Sequence, residues 1–200
     1  MEFKYTNIGL SGVAGSGKNT VASIIIKLLQ RVGLPYRELS IAKNLKEELR
    51  EPCLKLYNID SSNCSRDEKD IIRPFLVSHG EIKRKLSNGR HWIDKITNEL
   101  EREKINIITD VRFDEYEKDE VYWLKNEING ILIHISKYEE INGERKFLKP
   151  ANPAEERNNP KLIEKADFVL NWPHEKDTTK QILNCEKLLK YIKAKYDKLS

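Results

Sequence analysis

Nine consecutive residues constrain this chain more than any others: Gly12-Val13-Ala14-Gly15-Ser16-Gly17-Lys18-Asn19-Thr20. A short apolar stretch, Tyr5 to Leu10, precedes them. After them Val21, Ile24, Ile25, Leu28, Leu29 and Val32 recur at steps of three and four, the period of an amphipathic helix, which Gly33 and Pro35 close. Strand, glycine-rich turn and helix in immediate succession direct the N–H groups of the turn and of the helix start at one place. Glycines let the backbone approach an anion closely, the helix dipole favours negative charge, and Lys18 reaches toward the outer phosphates. The segment reads as a phosphate-binding P-loop. The pattern usually has Ser or Thr directly after the lysine. Here that position is Asn19, and the hydroxyl comes one residue later, at Thr20.

The rest of the chain repeats the alternation. Arg37 to Ile41 reads as a second strand, followed by a helix from about Lys43 to Leu56. Ile105 to Thr109, Gly130 to Ile135 and Asp167 to Asn171 are three further strands. Helical stretches lie at Trp92 to Arg102, Glu115 to Asn126 and about Lys176 to Tyr196. Strands alternating with helices predict an α/β fold with a parallel sheet covered on both faces. Two polar stretches, 57–90 and 137–160, read as mobile or substrate-covering segments.

Charge and cysteine content narrow the class. Lys and Arg number 36 against 32 Asp and Glu, so a net charge of +4 implies neither a nucleic-acid coat nor a polybasic membrane anchor. Cys53, Cys64 and Cys185 form no CxxC pair and have no histidine cluster beside them, which points to a reducing cytoplasm. No apolar run approaches a membrane span, and the N-terminus does not read as a signal peptide. The expectation is a cytoplasmic protein of one domain, with small-molecule partners and neither nucleic acid nor membrane.

Ile105-Asn106-Ile107-Ile108-Thr109-Asp110-Val111-Arg112-Phe113 carries the second chemical signal. An acid at the carboxyl end of a buried strand lies beside the P-loop in such sheets, where it can organise magnesium. An arginine two residues on can clamp a phosphate.

The Gly-Lys-x-Thr ending of the loop resembles that of nucleoside monophosphate kinases. Together with Thr-Asp110-Val-Arg112-Phe113 it resembles the deoxynucleoside monophosphate kinases of bacteriophages and, more distantly, phosphomevalonate kinase of the animal type. Ile41-Ala42-Lys43-Asn44-Leu45-Lys46 is similar to the family's Phe-Ala-x-x-Leu-Lys segment. Asp67 to Gly80, with Arg84 and Trp92-Ile93, resembles its monophosphate-binding side; Ala154-Glu155 falls where a Ser-Glu pair is usual. The resemblance implies a P-loop NTPase fold whose five-stranded, mainly parallel sheet, in the order 2-3-1-4-5, is sandwiched by helices. It also implies a monophosphate-binding region over about 43–100 and a lid over about 137–160. The activity it implies is phosphoryl transfer from ATP, with Mg2+, to a (deoxy)nucleoside monophosphate.

Lys18 and the loop residues Gly12, Val13, Ala14, Gly15, Ser16, Gly17, Asn19 and Thr20 would then hold the ATP phosphates. Asp110, with Thr20, would hold magnesium, directly or through water. Lys46, Arg73, Arg84, Trp92 and Arg112 would face the acceptor, Lys18, Asp110 and Arg112 being catalytic, and Arg145 and Arg157 would belong to the lid. Trp92 also fits a plain core position, on a helix face with Ile93 and Ile96. Ile41 stands where the family has Phe, and Ala154 where it has Ser. The resemblance leaves a homodimer open. A kinase for dephospho-coenzyme A or phosphomevalonate, or a non-catalytic nucleotide sensor, would share the loop; presence of both Lys18 and Asp110 favours the enzyme.

Overall fold

The computed structural model describes residues 7–174, 182–183, 185–188 and 190. Strands β1 (Asn7–Ser11) and β3 (Ile105–Thr109) are buried at every residue, which requires cover on both faces. Successive side chains alternate between those faces. Ile107 packs with Ile8, Leu10, Ile131 and Ile133 under helix α1 (Lys18–Arg31), whereas Ile108 packs with Leu39, Leu132 and Trp92 on the opposite side. β2 (Tyr36–Ser40), β3, β1, β4 (Ile131–Ile141) and β6 (Phe168–Pro173) pair in that order, all parallel. This is the P-loop α/β fold, with the expected arrangement 2-3-1-4-5 when its parallel strands alone are numbered.

The sixth strand is an addition. β4 runs on past the sheet and turns at Asn142 and Gly143, whose φ values of 54° and 79° both lie in the left-handed region, into β5 (Glu144–Phe147). Two positive φ angles make a tight hairpin turn whose twist suits antiparallel strands, and Asn-Gly is the pair that accepts them most readily. Tyr138 pairs with Phe147 and Ile141 with Glu144.

Several sequence-based boundaries are corrected. The helix expected over Lys43 to Leu56 is two, α2 (Ile41–Glu48) and α3 (Arg50–Tyr57). Pro52 has no N–H to give the Glu48 carbonyl, so the first helix cannot continue through it. The polar stretch 57–90 holds α4 (Arg66–Leu86), started by a capping box in which Ser65 and Glu68 bond each other's backbone N–H. The helix from Trp92 is α5 (Arg90–Thr97), ending well before Arg102. Of the helix expected over Glu115 to Asn126 only α6 (Glu120–Tyr122) and a π-helical turn (Trp123–Glu127) form: Asp119 is extended at φ −81° and ψ −172° and caps a helix that starts only at Glu120, its carboxylate also taking the N–H groups of Glu115 and Tyr116. The stretch 137–160 holds the hairpin and the first half of α7 (Pro153–Lys165), capped by Asn152. Tyr5 and Thr6 of the first strand, and most of the final helix over 176–196, lie outside the described residues. Within that helix Cys185 and Leu188 are buried in the α1-side core. No helix among the described residues is long and apolar enough to cross a membrane.

Candidate active site

The glycine-rich loop links β1 to α1. Gly12 has φ 137°, and a Cβ there would lie 2.5 Å from the Ile135 carbonyl oxygen, so the close approach of loop to sheet demands glycine. Lys18, only 6% exposed, turns its ammonium inward and donates to the carbonyls of Gly12 (2.7 Å) and Val13 (3.0 Å). Burial, and then the Arg112 charge, lower its pKa to about 8 against the pull of Asp110 and Glu155. Asn19 and Thr20 are exposed on the first turn of α1, while the buried Ser16 hydroxyl has no hydrogen-bond partner among the described residues. Beneath the loop His134 meets the Ser11 hydroxyl through Nδ1 at 3.1 Å. Burial and the Lys18 charge lower its pKa to about 4, so it is neutral near pH 7.

Asp110 lies at the end of β3 with φ 67°, a conformation that Asp tolerates better than most residues. Its carboxylate accepts from Arg112 Nη2 at 2.8 Å and from the Ser40 hydroxyl at 3.2 Å. Burial works against its charge. The charge and hydrogen bond of Arg112, the Lys18 charge and the Ser40 hydroxyl outweigh burial and hold the carboxyl below the usual carboxylate range. Arg112 Nη1 also lies 3.5 Å from Glu155 on α7. Lys18, Asp110 and Arg112, separated by more than ninety residues, are thereby one electrostatic group.

The turn carrying Asp110 and Arg112 rests on a buried support that the sequence did not reveal. Glu120 accepts from the backbone N–H of Arg112 (2.6 Å) and Phe113 (3.1 Å). Burial raises this carboxyl to about 7 although the Arg84 charge opposes the rise. Arg84 bonds Asp119 through both guanidinium ends, at 2.9 and 2.7 Å, and stacks 3.7 Å from the centre of the Phe113 ring. Arg84 thus differs from the open clamp expected for an acceptor: its side chain is 5% exposed and already engaged by Asp119 and Glu120.

The remaining cations fall into two sets. Lys46 on α2 and Lys69 and Arg73 on α4 form one set, close enough for the charges of Lys46 and Arg73 to act on Lys69. Lys69, half-buried, has its pKa lowered by burial and by the charges of Lys46, Arg73 and Arg112, while Asp110 pulls the other way. Lys69 is the residue the sequence reading missed here. Nothing in the string Asp67-Glu68-Lys69-Asp70 marks it until α2 brings Lys46 alongside. Arg73 is exposed and pairs with Asp70 at 2.5 Å. Arg145 on β5 stacks on Tyr138 and faces Glu140, and Arg157 on α7 faces Glu115 at 3.4 Å; neither contacts Lys18, Asp110 or Arg112. Trp92 is 3% exposed in the core beneath α4, a packing position rather than a platform for a base.

An ionised carboxylate and a hydroxyl are hard oxygen donors, the kind magnesium takes. Asp110 fits such a role, and Thr20 is open to it. Among the described residues no group of three or more His, Cys, Asp and Glu side chains could hold a metal by themselves. Magnesium would therefore share its shell with phosphate oxygens and water.

No family model and no curated protein sequence matches the chain. Among solved structures it is similar to the Mycobacterium tuberculosis APS kinase CysC in complex with AMPPNP and APS, at 14% identity and a TM-score of 0.44, over 94% of this chain and 98% of that one. It is also similar to shikimate kinase from Bacteroides thetaiotaomicron, at 12% identity and a TM-score of 0.46, again over 94% and 98%. A third is TT1252 from Thermus thermophilus, at 16% identity and a TM-score of 0.42, over 92% and 95%.

Proposed function

We propose that the chain transfers the terminal phosphoryl group of ATP to a (deoxy)nucleoside monophosphate. One observation carries this reading: the charges of Asp110 and Arg112 reach both Lys18 of the loop and Lys69 of α4, and those of Lys46 and Arg73 act on Lys69 as well. A half-buried lysine pressed by like charges favours an anion that would offset them, and a monophosphate supplies one.

The donor phosphates would lie on the amides from Gly15 to Thr20 with Lys18 at their outer end, as helix-start anions do. Arg112, whose charge acts on both Lys18 and Lys69, would hold the transferred phosphoryl as its charge spreads. Asp110 and Thr20 would hold magnesium, which when bound would supply charge neutralisation for the donor phosphates. No general base is required, because a monophosphate oxygen is already a nucleophile and positioning with charge neutralisation does most of the catalysis.

ADP release, measured with ATP, Mg2+ and a panel of nucleoside and deoxynucleoside monophosphates, tests the assignment. At least one monophosphate is expected to raise ADP release well above the acceptor-free rate. Stimulation only by dephospho-coenzyme A or phosphomevalonate would move the acceptor outside the nucleotides, and no stimulation by any acceptor would contradict transfer.

A further inference from the structure

Glu155 occupies an unusual place. It belongs to the first turn of α7, yet its carboxylate reaches across the molecule to the P-loop. Both oxygens lie 3.2 Å from the Ala14 N–H, near the head of the run of amides. Oε2 also accepts from Ala151 N–H at 3.0 Å, and Oε1 lies 3.5 Å from Arg112 Nη1. The side chain is 10% exposed, and its charge acts on Lys18. An anion that meets a P-loop amide, the loop lysine's field and the phosphate-clamping arginine has the partners of a terminal phosphate.

From this we infer that Glu155 is an internal anion standing in for the donor's terminal phosphate, and that the incoming triphosphate must displace it. The inference rests on the donor-site reading above and adds a competitor to it. Three features support displacement over a permanent strut. The bonds to Ala14 are shared between two oxygens at the long end of the N–H···O range, so each is weak. Arg112 keeps Asp110 as a partner when Glu155 leaves, so its guanidinium is not stranded. The helix that carries Glu155 is fastened elsewhere: Asn158 bonds Glu115 and the Asp114 N–H, and Lys165 reaches Asp114 at 2.6 Å. The carboxylate can therefore withdraw without α7 detaching.

The exchange also couples the loop to the segment before α7. Leu148, which follows β5, lies 3.5 Å from where a Gly15 Cβ would be, so 148–155 spans the top of the loop. Releasing Glu155 frees the Ala151 N–H together with the Ala14 N–H, and this strap then rearranges as the phosphate arrives.

The test is binding of inorganic tripolyphosphate to the full chain by calorimetry, which reads the donor loop without acceptor or turnover. Glu155→Gln keeps the shape and removes the charge, and Glu155→Asp keeps the charge but shortens its reach. Both are expected to bind tripolyphosphate about fivefold more tightly than the wild type, because the competing state loses population. They are also expected to show a larger rise in melting temperature on adding it. Unchanged or weaker binding in folded variants would overturn the inference and leave Glu155 a strut that shapes the loop. A wild type that binds no tripolyphosphate would instead overturn the donor-site reading, and this inference with it.

Discussion

The cations at the P-loop and the lysine that faces them in charge from α4 are kept in different states. On the P-loop side each is already matched. Lys18 donates to two carbonyls of its own loop, and Arg112 lies between Asp110 and Glu155. On α2 and α4 Lys69 is crowded by the charges of Lys46 and Arg73, with Asp110 acting the other way, while Arg73 itself pairs with Asp70. Paired cations hold a site in shape before anything binds, whereas crowded ones press for an anion. Arg84 shows where the line falls: it comes from α4, as Lys69 and Arg73 do, yet Asp119 and Glu120 draw it into the first class.

That placement of Arg84 is the easiest part to break. Arg84→Ala leaves Asp119 and Glu120 buried without their cation and is expected to destabilise the fold by about 3–5 kcal/mol. Denaturant unfolding measures it. A loss under about 1 kcal/mol, the usual range for an exposed pair, would return Arg84 to the open side of the comparison.

Lys18 sharpens the matched side. Lys18→Ala is expected to lower turnover by about 100-fold or more, equivalent to roughly 3 kcal/mol of transition-state stabilisation, with an unchanged circular dichroism spectrum. Activity within threefold of wild type would remove the lysine from the donor site.

A smaller effect follows from the same residue's burial. Its pKa near 8 means that the free chain loses the Lys18 proton as pH rises through 8, and with it a charge that meets phosphate. Tripolyphosphate affinity should therefore fall between pH 7 and 9.5, by up to about tenfold per pH unit above 8. Stability moves the other way. The unfolded lysine keeps its proton up to about 10.5, so between about 8 and 10.5 the unfolded chain binds more protons and this residue's contribution to stability rises with pH. Lys18→Met should remove both trends, and their persistence in that variant would assign them to another group.

How much of this was legible in the sequence depended on distance along the chain. The P-loop is nine adjacent residues, and Asp110 and Arg112 are two apart at the end of an apolar strand, so local pattern sufficed for them. Two further local signals sit inside stretches whose polar composition suggests loops. Ser65 and Glu68 spell a capping box for α4, and Asn142-Gly143 between Ile141 and Glu144 spells a hairpin. The rest was not local at all. Arg84 finds its partners 35 and 36 residues later, and Glu155 reaches the loop across 141 residues. Such contacts are created by the sheet order, and no window of sequence contains both ends.

The proposed assignment of the P-loop cations to the donor and of the α2–α4 cations to the acceptor stands or falls on one pair of kinetic constants. In the double variant Lys69→Ala/Arg73→Ala, the Michaelis constant for the monophosphate should rise by about 100-fold, roughly tenfold for each cation removed, while that for ATP stays within twofold. Equal rises for both substrates, or a rise for ATP alone, would contradict the account.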